Sequence, residues 1–280
     1  MPNRNIKKTV KGQKTIDGAG VHLVRVIGYH DTEEFDPFLM LDAFDSENPD
    51  DYIKGFPWHP HRGIETLTYL IHGNIEHGDS MGNKGNITDG GCQWMTAGSG
   101  ILHQEMPREC GHMLGFQLWL NLPNANKMTN PKYFDITADM VTTLREDGDT
   151  IRIIGGSYNG YTGPTQGKYV QPDILDISLD PGAVIAFPTA QEKNVFIYIV
   201  SGGAAFGDSE NEIPSHTAAL FGDGTDFSAR AGKSGVRFIY FAGKPLRESV
   251  AWGGPIVMNT QEELNHAFFE LEQGTFIKHR

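Results

Sequence analysis

The sequence is short of cysteine, of positive charge and of long apolar runs. Two cysteines in 280 residues, Cys92 and Cys110, form no disulfide framework, and we interpret both as small buried apolar side chains. A net charge of −12 provides no basic surface for nucleic acid and disfavours anionic membranes. The strongest apolar runs, such as residues 195–200, are too short to span a bilayer, and none follows the basic N-terminal residues as a signal peptide requires. These absences predict a cytoplasmic protein that binds neither nucleic acid nor membrane.

Glycine and proline are plentiful, at 34 and 15 residues, and 39% of the chain is hydrophobic. Short apolar runs alternate with turns such as Asp180-Pro181-Gly182 and Ser201-Gly202-Gly203. Many short strands joined by such turns indicate an all-β sandwich or barrel. A polar, acidic stretch over residues 135–149 predicts a domain boundary there, which gives domains 1–140 and 141–280.

One helix is predicted, over about residues 260–273. Asn259 or Thr260 can cap it, and acidic residues occupy its first turn. Its apolar stripe has i, i+3, i+4, i+7 spacing and consists of Leu264, Ala267, Phe268 and Leu271. Gly274 ends it, so we expect a packing helix that closes one barrel.

Two pairs of ligand-type residues have the spacing of strand neighbours on one face. They are His59 with His61, and His103 with Glu105. Residues i and i+2 of a strand point to the same side, so two strands can direct all four side chains to one point. A lone buried histidine is more often a hydrogen-bonded core residue, but two such pairs beside glycine turns favour a ligand set. Three imidazoles and a carboxylate suit a divalent first-row metal.

Two neighbouring residues leave alternatives open. Glu65 is a competing carboxylate, because it shares strand parity with His61 just as Glu105 shares it with His103. His77 is either a hydrogen-bond donor to a metal ligand or a solvated hairpin histidine, since its spacing alone fixes no partner.

The two halves of the chain can be aligned as a weak internal repeat, with Gly73 over Gly202. In that register the four candidate ligand positions fall on residues that cannot bind a metal, namely Pro188, Ala190, Phe227 and Ala229. The sequence therefore predicts two similar barrels, of which only the first binds a metal.

Several motifs in this order resemble the pirin family of the cupin superfamily. They are FDPFLMLDAF, GFPWHPHRGIET, QWMTAGSGILHQEMP, QLWLNLP and GGPIVMNTQEEL, and they span nearly the whole chain. The resemblance implies two cupin-type β-barrels (double-stranded β-helices) in tandem, with a short C-terminal helix. It also implies one metal in the first barrel, held by His59, His61, His103 and Glu105. Fe(II) is the expected metal, with Ni, Mn, Co, Cu or Zn as alternatives.

The resemblance also implies a reaction, because pirins include quercetin 2,3-dioxygenases. The expected substrates are a small aromatic molecule, a flavonol such as quercetin, and O₂; the ring is cleaved with release of carbon monoxide. Glu105 would act as the general base. We expect an apolar wall from residues close in sequence, namely Phe56, Trp58, Met95 and Met106.

A different class of function fits the same family. Some pirins regulate other proteins, such as transcription factors or metabolic enzymes, by a redox-dependent change at the iron. The acidic surface suits a protein partner better than DNA. We expect a monomer in either case.

Overall fold

The computed structural model describes residues 2–146 and 148–279 of the chain. It divides into two compact units. We name residues 13–138 with 246–279 the N-terminal barrel, and residues 2–12 with 139–245 the C-terminal barrel. The predicted boundary near 140 and this division differ in the two terminal segments, each of which belongs with the other half of the chain.

The N-terminal barrel has two main sheets. Its strands are β2 (Gln13–Asp17), β3 (Val21–Ile27), β4 (Phe38–Ser46), β5 (Phe56–His61), β6 (Ile64–His72), β7 (Ile75–Asp79), β8 (Lys84–Ile87), β9 (Cys92–Thr96), β10 (Ile101–Pro107), β11 (Met113–Asn121) and β12 (Lys132–Ile136). One sheet has the order β12-β9-β6-β11-β4-β3-β2 and the other β5-β10-β7-β8. Short 3₁₀ turns lie at Tyr29–Asp31, Pro49–Asp51 and Asn124–Asn126.

Residues 251–276, which we name the C-terminal segment, complete this barrel. The segment contains β23 (Ala251–Gly253), β24 (Ile256–Met258) and α1 (Gln261–Glu272). Thr260 caps the helix: its hydroxyl accepts from the Glu263 backbone N–H (3.2 Å), and the Glu263 carboxylate accepts from the Thr260 N–H (3.0 Å). Leu264 and Ala267 pack against β24. Val257 on β24 packs with Ile64 and Trp119, which explains why this segment belongs to the N-terminal barrel.

The C-terminal barrel is built on one large sheet. Its strands are β1 (Ile6–Lys11), β13 (Thr142–Glu146), β14 (Asp149–Gly155), β15 (Ser157–Tyr158), β16 (Tyr161–Thr162), β17 (Asp173–Leu179), β18 (Val184–Pro188), β19 (Asn194–Phe206), β20 (Ile213–Pro214), β21 (Thr217–Phe221) and β22 (Asp226–Gly243). The order is β1-β21-β19-β22-β17-β14-β13, with β18 on β22 and β20 on β19, and β15 pairs with β16. The first strand lies here because it pairs with β21. The predicted all-β fold with one C-terminal helix is confirmed.

The strand pairing corrects the register of the predicted repeat by one residue. Phe227 on β22 pairs with Phe187 on β18, just as His103 pairs with His59 in the N-terminal barrel. The counterpart of His59 is therefore Phe187, and not Pro188. Both phenylalanines are buried in one apolar cluster, so the C-terminal barrel has packed aromatic rings where the N-terminal barrel has histidines.

Candidate metal centre

Three histidines meet where β5 and β10 run antiparallel. His103 pairs with His59, and His61 pairs with Ile101. The ring centroids lie 4.3 Å apart for His59 and His103, 4.9 Å for His61 and His103, and 4.8 Å for His59 and His61. One ring nitrogen from each lies within 4.8 Å of the others. The predicted convergence of these imidazoles is observed.

Backbone carbonyls fix which nitrogen of two rings carries the proton. His59 Nδ1 lies 2.8 Å from the Pro57 carbonyl oxygen, and His61 Nδ1 lies 3.0 Å from that of Pro255. A carbonyl oxygen only accepts, so both Nδ1 atoms are protonated and both Nε2 atoms carry a lone pair. Those two Nε2 atoms face each other at 3.1 Å. Two lone pairs at this distance repel, and a cation between them would relieve the repulsion.

The third ring completes the same argument. His103 is fully buried, and neither of its ring nitrogens has a hydrogen-bond partner among the described residues. Buried polar atoms of this kind are rare without an unseen water or ion. The donor set fits a divalent transition-metal ion, for which neutral imidazole is a preferred ligand.

Burial keeps the imidazoles of His61 and His103 neutral. It lowers the pKa of His61 to about 3, and the nearby His59 adds to the effect by charge repulsion. Burial first, and then the neighbouring histidines, lower the pKa of His103 well below its usual value. Neutral rings keep their lone pairs available at physiological pH.

Glu105 lies two residues after His103 on β10, and the alternating burial of the strand places both on the inner face. Its two oxygens accept hydrogen bonds from the Thr68 hydroxyl (2.8 Å) and the Gln117 amide (2.6 Å). The group of ligand atoms within 4.8 Å contains the three histidines and not this carboxylate. Glu105 is thus a buried, oriented acceptor beside the histidines.

Glu65, the competing carboxylate, points the other way. It lies on β6 three residues before Thr68, so the two side chains leave opposite faces of the strand. Its Oε1 accepts from the Thr96 hydroxyl at 2.7 Å, and burial raises its pKa to about 7. Glu65 therefore does not lie on the face of β6 from which Thr68 donates to Glu105.

The four residues expected to form an apolar wall separate into two groups. Phe56 and Met95 pack into the apolar clusters of the N-terminal barrel. Trp58 is 55% exposed and lies one residue from His59, on the opposite face of β5. Met106 likewise alternates with Glu105 and faces outward on β10. Trp58 and Met106 therefore do not lie on the same side as the histidines.

Aromatic residues distant in sequence also lie beside the histidines, in the apolar cluster that contains Met95. The Trp119 ring packs edge-on against His61 at 4.9 Å, and Trp252 packs on Trp119 at 5.7 Å. Trp119 shares a face of β11 with Gln117, so strand parity could have found it. Trp252 and Pro255 carry no local signal, because they lie almost 200 residues from His61.

His77 is buried, which removes the interpretation as a solvated hairpin residue. Its ring lies 5.4 Å from that of His103 and stacks on Tyr133 at 4.6 Å. His77 Nε2 is 3.5 Å from the Asp79 carboxylate, at the long limit of a hydrogen bond. The residue packs beside the ligand cluster without bonding to it.

No helix among the described residues is long and apolar enough to cross a membrane.

Family models of known proteins match both halves of the chain. The Pirin family model matches residues 20–120, and that of the Pirin C-terminal cupin domain matches residues 174–277. A pirin-like protein of Caulobacter vibrioides is 40% identical over 279 residues, covering 99% of this chain and 100% of that protein. A solved quercetin 2,3-dioxygenase from Acinetobacter baumannii superposes with a TM-score of 0.89 at 30% identity, covering 98% of both chains. A bacterial pirin of Escherichia coli, solved in complex with nickel(II), shares the fold at a TM-score of 0.66 and 20% identity, over 85% of this chain and 99% of that one.

Proposed function

The chain belongs to the pirin family, and from this premise we propose that it is a metal-dependent dioxygenase that cleaves a flavonol such as quercetin. We propose His59, His61, His103 and Glu105 as the metal ligands and Fe(II) as the metal. The reaction consumes one O₂ and releases one carbon monoxide for each flavonol cleaved. The name of the Acinetobacter baumannii neighbour supports this substrate class.

One observation carries the proposal. The Nε2 atoms of His59 and His61 lie 3.1 Å apart with their Nδ1 atoms already committed to carbonyl oxygens. Beside them His103 has two buried ring nitrogens without partners among the described residues. A metal ion satisfies all three rings together, and the nickel(II) complex of the Escherichia coli pirin is in keeping with a divalent ion. When bound, the metal supplies Lewis acidity, which lowers the pKa of a coordinated hydroxyl group.

The chain's own residues then have separate tasks. Glu105 accepts the proton of the flavonol 3-hydroxyl, and the hydrogen bonds from Thr68 and Gln117 keep its carboxylate aimed inward. Trp119, packed against His61, supplies an apolar surface for a flat aromatic substrate and excludes water beside the ligand.

The test is stoichiometric. Oxygen consumption and carbon monoxide release are measured with quercetin, using protein of known metal content. Glu105→Gln should retain the fold and lose about 10²- to 10⁴-fold in turnover per bound metal, which is the usual contribution of a general base. Glu65→Gln is the matched control, because it alters a buried carboxylate on the other face of β6 and should leave turnover unchanged.

Either of two results would contradict the proposal. Normal turnover in Glu105→Gln would remove the base assignment. If fully metallated wild type released no carbon monoxide, the proposed dioxygenase activity would be wrong. That result would favour a regulator whose protein partner distinguishes the oxidation states of the metal.

A further inference from the structure

The corner between β5 and β6 contains a buried arginine. Arg62 follows the ligand His61 directly and is only 1% exposed. Its guanidinium donates to the Ser99 carbonyl (2.8 Å), the Phe276 carbonyl (2.9 Å) and the Glu270 carboxylate (2.7 Å). The Phe276 ring also lies 4.1 Å from the guanidinium carbon. Except for the bond to Ser99, these contacts reach the C-terminal segment, residues 251–276.

The backbone of that segment lies directly against the corner. The Val257 N–H donates to the Arg62 carbonyl at 3.1 Å. Lys127, also buried, donates to the carbonyls of Gly63 (2.8 Å) and Val257 (2.9 Å). Gly63 has a φ of +79°, and a Cβ there would lie 1.9 Å from the Val257 oxygen. Only glycine permits this approach, and the hydrogen bonds of Val257 and Lys127 hold the two backbones together.

This position matters to the metal centre through one hydrogen bond. The carbonyl that accepts from His61 Nδ1 belongs to Pro255, two residues before Val257 and 194 residues from His61. A partner of this kind fixes the orientation and tautomer of a ligand histidine, and its loss costs about 10- to 100-fold in metal affinity. Pro255 has no side-chain donor, so other contacts must hold its carbonyl in place.

We propose that Arg62 is a positioning residue for the metal. It clamps the C-terminal segment to the corner, keeps the Pro255 carbonyl in line with His61 Nδ1, and so directs the His61 Nε2 lone pair toward the ion. This inference rests on the metal site proposed above. The alternative is that Arg62 adds stability alone.

A second ion pair in the same barrel separates these explanations. Arg25 on β3 donates twice to the buried Asp42 on β4, at 2.9 and 2.7 Å. It makes none of the corner contacts. Arg62→Lys and Arg25→Lys each keep the charge and lose the planar two-pronged donor. Both should lower the free energy of unfolding, but only the first should affect the metal.

The experiment measures Ni²⁺ affinity by calorimetry, amide hydrogen exchange over residues 251–276, and unfolding of the metal-free protein. Arg62→Lys should weaken Ni²⁺ binding about 10- to 100-fold and speed exchange in the segment. Arg25→Lys should keep both within about twofold of wild type. Equal affinity in the wild type and Arg62→Lys, or equal losses in the two variants, would overturn the positioning role.

A milder variant keeps the test valid if Arg62→Lys fails to fold. Glu270→Gln leaves the two carbonyl contacts of Arg62 in place and weakens the ion pairs that Glu270 makes with Arg62 and Lys278. It should give a smaller loss of Ni²⁺ affinity together with faster exchange in residues 261–276; unchanged values of both would count against the inference. Wild type that binds no Ni²⁺ would instead refute the proposed metal site itself.

Discussion

Replacing Glu65 with glutamine should stabilise the N-terminal barrel at alkaline pH and leave it unchanged near pH 4. Burial raises the pKa of Glu65 from its usual 4.5 to about 7 in the folded protein. A carboxyl group with a raised folded-state pKa contributes stability below pH 4.5. That contribution is lost as the pH rises through 7, because only the unfolded chain ionises freely. Glutamine cannot ionise, and its oxygen can still accept from Thr96.

The size of the effect follows from the pKa change. At about 1.4 kcal/mol per pKa unit, a rise from 4.5 to about 7 corresponds to roughly 3 kcal/mol. The variant should therefore exceed wild type by about 3 kcal/mol at pH 8 and by less than about 1 kcal/mol at pH 5.

Tryptophan fluorescence offers a selective assay. All four tryptophans, at positions 58, 94, 119 and 252, belong to the N-terminal barrel. Urea unfolding of metal-free protein, followed by this signal, reports that barrel alone. Taking the difference between variant and wild type at each pH cancels the titration of the buried histidines.

The control is Glu47→Gln, which alters an exposed glutamate and should change stability at neither pH. A Glu65→Gln advantage that is the same at pH 5 and pH 8 would refute the reasoning. It would mean that the carboxyl titrates alike in the folded and unfolded states.

Three further outcomes are expected. The double variant His59→Ala, His61→Ala should purify without metal, and one equivalent found by elemental analysis would place the site elsewhere. Ni²⁺ at 100 times its Kd should raise the unfolding free energy of the N-terminal barrel by about 2.7 kcal/mol and leave that of the C-terminal barrel unchanged; a gain in both would contradict a single site. In a Glu65→Gln background, the metal-free N-terminal barrel should lose stability as the pH falls from about 6.5 toward 3. The reason is that the unfolded chain takes up the proton that buried His61, with its pKa of about 3, does not; a flat urea midpoint would contradict this.

Strand parity accounts for what the sequence could predict about the site. It brought His59, His61 and His103 together, because each pair lies within one strand. It could not decide whether Glu65 is a ligand, because counting residues from His61 to Glu65 crosses Gly63. The left-handed conformation of Gly63 separates β5 from β6. Parity does not carry over from one strand to the next through such a corner.

Sequence proximity failed where parity was not applied. Trp58 and Met106 each lie one residue from a ligand position and therefore face the other side of the strand. Pro255 and Trp252 could not be assigned at all, since a carbonyl acceptor and a stacked ring arriving from a distant segment leave no local pattern. For the same reason, the sequence did not predict that each terminal segment belongs with the other half of the chain.

The hydrogen bond between His61 and Pro255 also bears on when, during synthesis of the chain, a metal can bind stably. The two residues are 194 positions apart. At about 5 to 20 residues per second, a ribosome needs about 10 to 40 s to travel from one to the other. For most of that interval all three histidines have been synthesised, but the acceptor that orients His61 has not. A metal captured by the nascent chain would meet an incompletely oriented set of ligands, so we expect stable loading to follow synthesis of the C-terminal segment.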